Sequence, residues 1–258
     1  MAKKSEFLRQ GRVTELLLTK AGQHGTLDAA DQEALCAIRS RTRQVAAGED
    51  IVCQGDRPDV AVLVLRGMLA RYHTLESGRR QYLSFHIAGD LPDLQSLFLT
   101  IMDHSLCALD EAEIATMPHA ELRKLISKRG AVGQAFWRLT LVDAAIFRQA
   151  IANNSARDHV ARIAHLFCEQ YYRANEAGLV DKWSCSLPLS QSQLGQTLGM
   201  AHVSVNRAMQ RLHKQGLAHL RAGRLTVPNW LALKHTAGFD PDYLHVDTVS
   251  GTSRPLSS

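Results

Sequence analysis

The order of apolar and polar positions changes texture several times along the chain. After a polar start, Thr14 to Lys20 and Ala29 to Ser40 carry short helical patterns. Between Gly48 and Asp90 the pattern becomes β-like, with apolar-rich runs at Asp50 to Gln54, Val60 to Arg66, Met68 to Thr74 and Tyr82 to Ile87. Gly55, Gly67, Gly78 and Gly89 punctuate these runs, which predicts a small antiparallel sandwich or barrel.

From Gly130 the period lengthens. Val132, Phe136, Leu139, Asp143, Ile146 and Ala150 recur at alternating spacings of four and three, the seam of one long helix. Such a seam seeks a partner helix, or else packs on the chain's own sandwich. A dry carboxylate on it is costly, so Asp143 should lie where two helices splay or meet an arginine such as Arg138 or Arg148. Asn153-Asn154-Ser155 reads as a break and new N-cap, followed by a second helix from Ala156 to Ala174.

The most informative stretch is Leu189 to Gly216, LSQSQLGQTLGMAHVSVNRAMQRLHKQG. Ser190 and Gln193 have the spacing of a capping box, which starts a short helix. Leu194 and Leu198 share its buried face, and Gly195 between them permits close approach of the next helix. Gly199 supplies the left-handed turn. A second helix, about Ala201 to Gln215, should bury Val205, Ala208, Met209 and Leu212 and expose a polar face. Two helices joined by a tight glycine turn place the second in a DNA major groove.

On that face Arg207 suits guanine and Asn206 suits adenine, with His202 and Val203 beside them. Ser190, Gln191, Ser204 and Lys214 suit phosphates, and Arg211 belongs to the same DNA-binding face. Leu217 to Val227 then reads as a hairpin around Arg221-Ala222-Gly223-Arg224, a basic wing in which Arg224 can reach the backbone. The alternative is a helical hairpin with a merely solvated polar face.

The 258 residues, 45% of them apolar, suffice for two modest domains. Thirty Lys and Arg against 25 Asp and Glu leave a net charge of +5, which permits a polyanionic partner without requiring one. No run is long enough to span a membrane and MAKKSEFLRQGR lacks the apolar stretch of a secretory signal, so the cytoplasm is expected. Five scattered cysteines, Cys36, Cys53, Cys107, Cys168 and Cys185, contain no close pair and read as reduced packing residues.

A glycine-punctuated β-sandwich, a seam helix and a winged helix-turn-helix, in that order, resemble the Crp/Fnr superfamily of bacterial regulators. The resemblance spans about Leu35 to Leu233 and is strongest at GEDIVCQGD, VLVLRGMLARY, SGRRQYLSFHIAGDL and LPLSQSQLGQTLGMAHVSVNRAMQRLHKQGL. AGFDPDYLH, Ala237 to His245, is similar to the tail of one large subgroup. The resemblance implies an α+β architecture in three parts, namely an N-terminal β-sandwich or jelly-roll sensor domain, a long dimerisation helix and a C-terminal winged helix-turn-helix. It implies boundaries at 1–129 for the sensor, 130–153 for the helix and hinge, 154–234 for the DNA-binding domain and 235–258 for the tail, with Asn153-Asn154 as the hinge.

Departures from the family pattern restrict the effector. Cyclic-AMP-binding members hold the phosphate with an Arg-Ser-Ala-like run, whereas Gly89 to Leu109 here contains no arginine or lysine. Cyclic AMP is therefore not expected. No cysteine precedes Cys36, which argues against the iron–sulfur members, while a single haem ligand leaves no spacing signature and haem stays open. His73, His86, His104 and His119 read as surface or packing residues. Relatives often carry Glu-x-x-Ser-Arg where this chain has Val203-Ser204-Val205-Asn206-Arg207, so only Arg207 inherits a base-reading role.

The functional expectation is a non-enzymatic regulator that binds a palindromic site on double-stranded DNA as a homodimer, with RNA polymerase as a further partner if it activates. One alternative is a ligand-sensing, anti-sigma-like module whose winged helix docks on protein. A cupin-like metalloenzyme is the other, but Tyr72-His73-Thr74-Leu75-Glu76 supplies one histidine where a metal needs several.

Overall fold

The computed structural model describes residues 2–246. They form two compact units, one made of the chain up to His73 with Ser84–Asp143, the other of Thr74–Leu83 with the chain from Ala144 onward.

The N-terminal unit opens with α1 (Ala2–Gly22) and α2 (Ala29–Cys36), the latter started by a capping box in which Asp28 and Asp31 bond each other's backbone. Seven strands follow: β1 (Arg41–Val45), β2 (Asp50–Val52), β3 (Val60–Arg66), β4 (Leu69–Thr74), β5 (Arg80–His86), β6 (Ser105–Ala108) and β7 (Ala112–Pro118). They pair into one sheet of order β1-β7-β3 and another of order β2-β6-β4-β5. The four apolar runs of the sequence are β2 to β5. Strands β1, β6 and β7 were not expected, and the helix sought across Ala29 to Ser40 stops at Cys36. Then come α3 (His119–Lys128) and α4 (Gly130–Ala156).

The uninterrupted run Val60 to Leu65 is explained by β3 being covered on both faces. Ala61, Leu63 and Leu65 join Leu17, Leu35, Met117, Leu122, Val132 and Phe136 in a core under the helices. Val62 and Val64 turn the other way, into the space with Val45, Leu69, Leu106 and Ile114.

In the C-terminal unit, α4 does not break at the asparagines. It runs on to Ala156, and the new N-cap is Asp158, whose carboxylate accepts from the Val160 and Ala161 amides. The expected cap residue, Ser155, instead donates back to the Ile151 carbonyl within the helix. Next come α5 (His159–Glu176), β8 (Ser184–Ser186), α6 (Gln191–Leu198), α7 (His202–Lys214), β9 (His219–Arg221), β10 (Arg224–Thr226), α8 (Trp230–Ala237) and a 3₁₀ turn at Pro241–Leu244. Helix α5 is the hub against which α6, α7 and α8 pack, and the strands form a sheet of order β8-β10-β9.

The most deeply buried acid described in the N-terminal unit is Asp93. It is wholly inaccessible, and one carboxylate oxygen accepts from the Val62 amide at 2.8 Å. Desolvation pushes its pKa up to about 7, against the lowering pull of that amide and of Arg71. The folded state then keeps a proton that the unfolded carboxyl releases near its ordinary value, so the contribution of Asp93 to stability is lost as pH rises from about 4 to about 7. Asp93→Asn, which mimics the protonated acid, is expected to gain stability relative to wild type across that interval. Urea denaturation at its two ends checks this, and a constant difference would mean that Asp93 is already ionised.

Candidate functional site

The start of α6 has the expected capping box, with the Gln193 amide donating to Ser190 Oγ at 3.2 Å and the Ser190 amide donating to Gln193 Oε1 at 2.8 Å. Leu194 and Leu198 are buried, and Gly199 ends the helix at φ 62°, ψ 39°. A Cβ added to Gly195 would lie 2.7 Å from the Met200 carbonyl oxygen and 3.6 Å from Val205 Cγ2. Only glycine lets the turn and α7 come this close.

Helix α7 buries Val205, Ala208 and Leu212, while Met209, expected inside, is half-buried. His202, Val203, Arg207, Arg211 and Lys214 are exposed on it, and Val203 keeps 59% of its surface accessible. Ser190 is exposed as well, whereas Gln191 and Ser204 are half-buried. Asn206 is not a free reader: its Nδ2 donates to Gln191 Oε1 at 3.3 Å, which ties α7 to α6. The wing is a tight hairpin with Ala222 and Gly223 both at positive φ, and it presents Arg221 and Arg224 to solvent in register.

Composition sharpens the picture at this site. From Lys182 to Phe239 there is no Asp or Glu but seven Lys and Arg, so the chain's net positive charge of +5 arises here. The charge total of the whole chain conceals this local signal, which sequence reasoning overlooked.

The six expected seam residues of α4 fall in different surroundings. Val132 and Phe136 point into the N-terminal core, and Leu139 packs against that core. Asp143 meets Arg71 Nη1 at 2.5 Å, not the neighbouring arginines of its own helix. Ile146 and Ala150 are half-buried. The large apolar side chains left uncovered on α4 are Trp137 at 64%, Leu141 at 49% and Ile151 at 70% exposure. With Ala144 and Arg148 they repeat the four-three spacing on a different face.

Arg71 was missed because it lies on β4, outside Gly89 to Leu109 where a cation was sought. It is 2% exposed and donates from Nε to the Pro92 carbonyl at 2.7 Å, and from Nη2 to the same oxygen. A charged residue among the buried positions of a strand was the available signal. Its guanidinium is committed to Pro92 and Asp143. His104 beside it contacts Asp103 at 2.6 Å, and burial, with Arg71 adding, holds its pKa below the usual histidine value.

Among the described residues no cluster of His, Cys, Asp and Glu could hold a metal ion. Cys36 and Cys53 are exposed and the other three cysteines are buried. Burial pushes the Cys185 thiol up to about 12 and that of Cys168 higher, which makes them inert packing groups. His86 and His119 are buried against Ser84 and Ser96, as packing histidines would be. No helix is long and apolar enough to cross a membrane among the described residues.

Residues 42–129 match the cyclic nucleotide-binding domain and residues 161–236 the Crp-like helix-turn-helix domain. The chain belongs to the Crp/Fnr family. The "Fumarate and nitrate reduction regulatory protein" of Vibrio cholerae is 22% identical over 83% of this chain and 85% of its own length. "Transcriptional activator protein FnrA" of Stutzerimonas stutzeri is 23% identical over 83% of this chain and 87% of its own. FixK2 from Bradyrhizobium japonicum shares the fold with a TM-score of 0.69 and 20% identity, covering 79% of this chain and all of that one. A CRP-family regulator from Thermus thermophilus gives a TM-score of 0.56 and 18% identity, over 76% of this chain and 97% of its own. As a Crp/Fnr protein this chain is a DNA-binding transcription factor and not an enzyme.

Gly195→Ala is expected to destabilise the C-terminal unit by roughly 1–3 kcal/mol, the usual penalty for overpacking, and to weaken DNA binding with it. Urea unfolding alongside a DNA-binding titration measures both. An alanine variant of unchanged stability would show that the α6–α7 contact is loose.

Proposed function

We propose that this Crp/Fnr regulator binds a twofold-symmetric operator in double-stranded DNA as a homodimer, with α7 in the major groove. The observation that carries this reading is the acid-free, basic stretch from Lys182 to Phe239, with its exposed arginines on α7 and on the wing. Arg207 bonds guanine O6 and N7 through its two-pronged guanidinium. His202 and Val203 lie against neighbouring base edges. Ser190, Gln191, Ser204, Arg211, Lys214 and the wing residue Arg224 hold phosphates. Asn206 supports the site through Gln191 and only secondarily meets a base.

The dimer forms along α4. Trp137, Leu141 and Ile151 supply the uncovered apolar stripe, flanked by the half-buried Ile146 and Ala150 of the originally expected seam. The sensor, up to residue 129, responds to a signal other than cyclic AMP held in the family's usual way, since Arg71 is already engaged by Pro92 and Asp143. The residues from 154 to 234 form the DNA-binding domain, and those beyond 234 the tail. The protein acts in the cytoplasm, and RNA polymerase is its further partner where it activates.

Two experiments test this. Arg207→Ala should lose roughly 1–3 kcal/mol of discrimination at one guanine per half-site, whereas Lys214→Ala should weaken all DNA alike and flatten the salt dependence. Competition between operator and scrambled duplex separates them, and equal losses for Arg207→Ala would reassign it to phosphate. Trp137→Glu should shift the protein to monomer in sizing chromatography at micromolar concentration and abolish high-affinity operator binding. A dimer undisturbed by that charge would move the interface off this face of α4.

A further inference from the structure

We infer that the end of α4, Arg157 and the C-terminal residues Ala237–Leu244 form a locked joint that sets which operator half-site spacing this regulator accepts. The inference rests on the twofold dimer proposed above and concerns how rigidly each recognition helix is held to the helix that would pair.

The resemblance to the family points to a hinge at Asn153-Asn154, but here both asparagines are used as ties. Asn153 Nδ2 donates to the Arg162 carbonyl at 3.1 Å, across the change from α4 to α5. Asn154 Nδ2 donates to the Thr197 carbonyl at 3.2 Å, in the last turn of α6. Arg162 reaches the adjacent Leu198 carbonyl at 3.1 Å through Nη1, and the Arg157 carbonyl at 3.0 Å through Nη2. The final carbonyls of a helix lack partners within it, so α6 is gripped at the end where hydrogen bonds are still available. Because α6 and α7 meet through the Gly195 contact, holding α6 holds the recognition helix.

The tail closes the joint from the other side. Arg157 sits at the two-residue gap between α4 and α5 and donates from Nε to the Ala237 carbonyl at 3.0 Å and from Nη2 to the Gly238 carbonyl at 3.1 Å. A cation at the C-terminal end of α8 is also favoured by the helix dipole. Beyond Gly238 the chain buries Phe239 and Leu244. The Phe239 ring lies 5.3 Å from His165, 6.0 Å from Trp230 and 6.0 Å from Tyr243, centre to centre. Tyr243 donates its hydroxyl to Glu169 Oε2 on α5 at 2.9 Å. The same His165 is 3.0 Å from Gln149 of α4 through Nε2, so one imidazole lies between the long helix and the tail.

In a twofold dimer whose α4 helices pair, any rotation of α7 at this joint occurs twice and changes the separation of the recognition helices. A rigid joint therefore converts helix pairing into a narrow choice of half-site spacing. A loose one tolerates several spacings.

The experiment uses full-length wild type, Asn154→Ala, Arg157→Ala and Tyr243→Phe against operators whose selected half-sites are moved closer or further apart by about one or two base pairs. Wild type should lose at least ~10-fold in affinity for each altered spacing, and Asn154→Ala and Arg157→Ala less than ~3-fold, while both remain dimers with the wild-type base preference in each half-site. Tyr243→Phe, which deletes a single hydroxyl and keeps the ring packed, should relax the spacing profile in the same direction by a smaller amount. A purely structural role would weaken every operator by the same factor, and that outcome overturns the joint. So does a spacing profile identical to wild type in all three variants, or a dimeric wild type indifferent to spacing. A wild type that is monomeric on DNA overturns instead the twofold reading on which the joint rests.

Discussion

The rotation of α4 about its own axis is the constraint from which the functional surfaces follow. A helix cannot turn one residue inward without carrying the whole of that face with it. Val132 and Phe136 are drawn into the core beneath β3 and β7, and the Arg71–Asp143 pair holds the same rotation about two turns beyond Phe136. Trp137, Leu141 and Ile151 are then left outside, as the exposed apolar stripe of the helix.

A related economy of contacts governs the DNA-reading surface. Two glycines act differently: Gly199 turns the chain through a left-handed conformation, and Gly195 admits the Met200 carbonyl to a distance that a methyl group would forbid. With α6 and α7 thus in contact, Asn206 and Gln191 bond each other and the exposed row from His202 to Lys214 faces outward. No carboxylate within Lys182 to Phe239 offsets the positive potential of that row, and an uncompensated patch draws a polyanion over distances of about a Debye length, roughly 10 Å at moderate salt. The side chains that grip the carbonyl ends of α6 and α8 come from Asn154, Arg162 and Arg157, polar ties beside the packed rings of Phe239 and Tyr243.

The local rules of the chain determined much of this by themselves. A capping box depends on residues three apart, a left-handed turn on one glycine, and a wing on a two-residue turn, so α6, α7 and the hairpin could be read directly. The β-rich region was legible for a similar reason, since β3 is buried on both faces and reads as one apolar run. What needed the tertiary structure were the properties set by residues distant in sequence. The face that α4 buries, Arg71 as the partner of Asp143 and the extension of α4 past its asparagines each depend on what lies alongside. Asn153 and Ser155 have the chemistry of a cap but donate elsewhere, to the Arg162 and Ile151 carbonyls. Periodicity reveals that a helix has a seam, but only packing against another part of the chain decides which way the seam points.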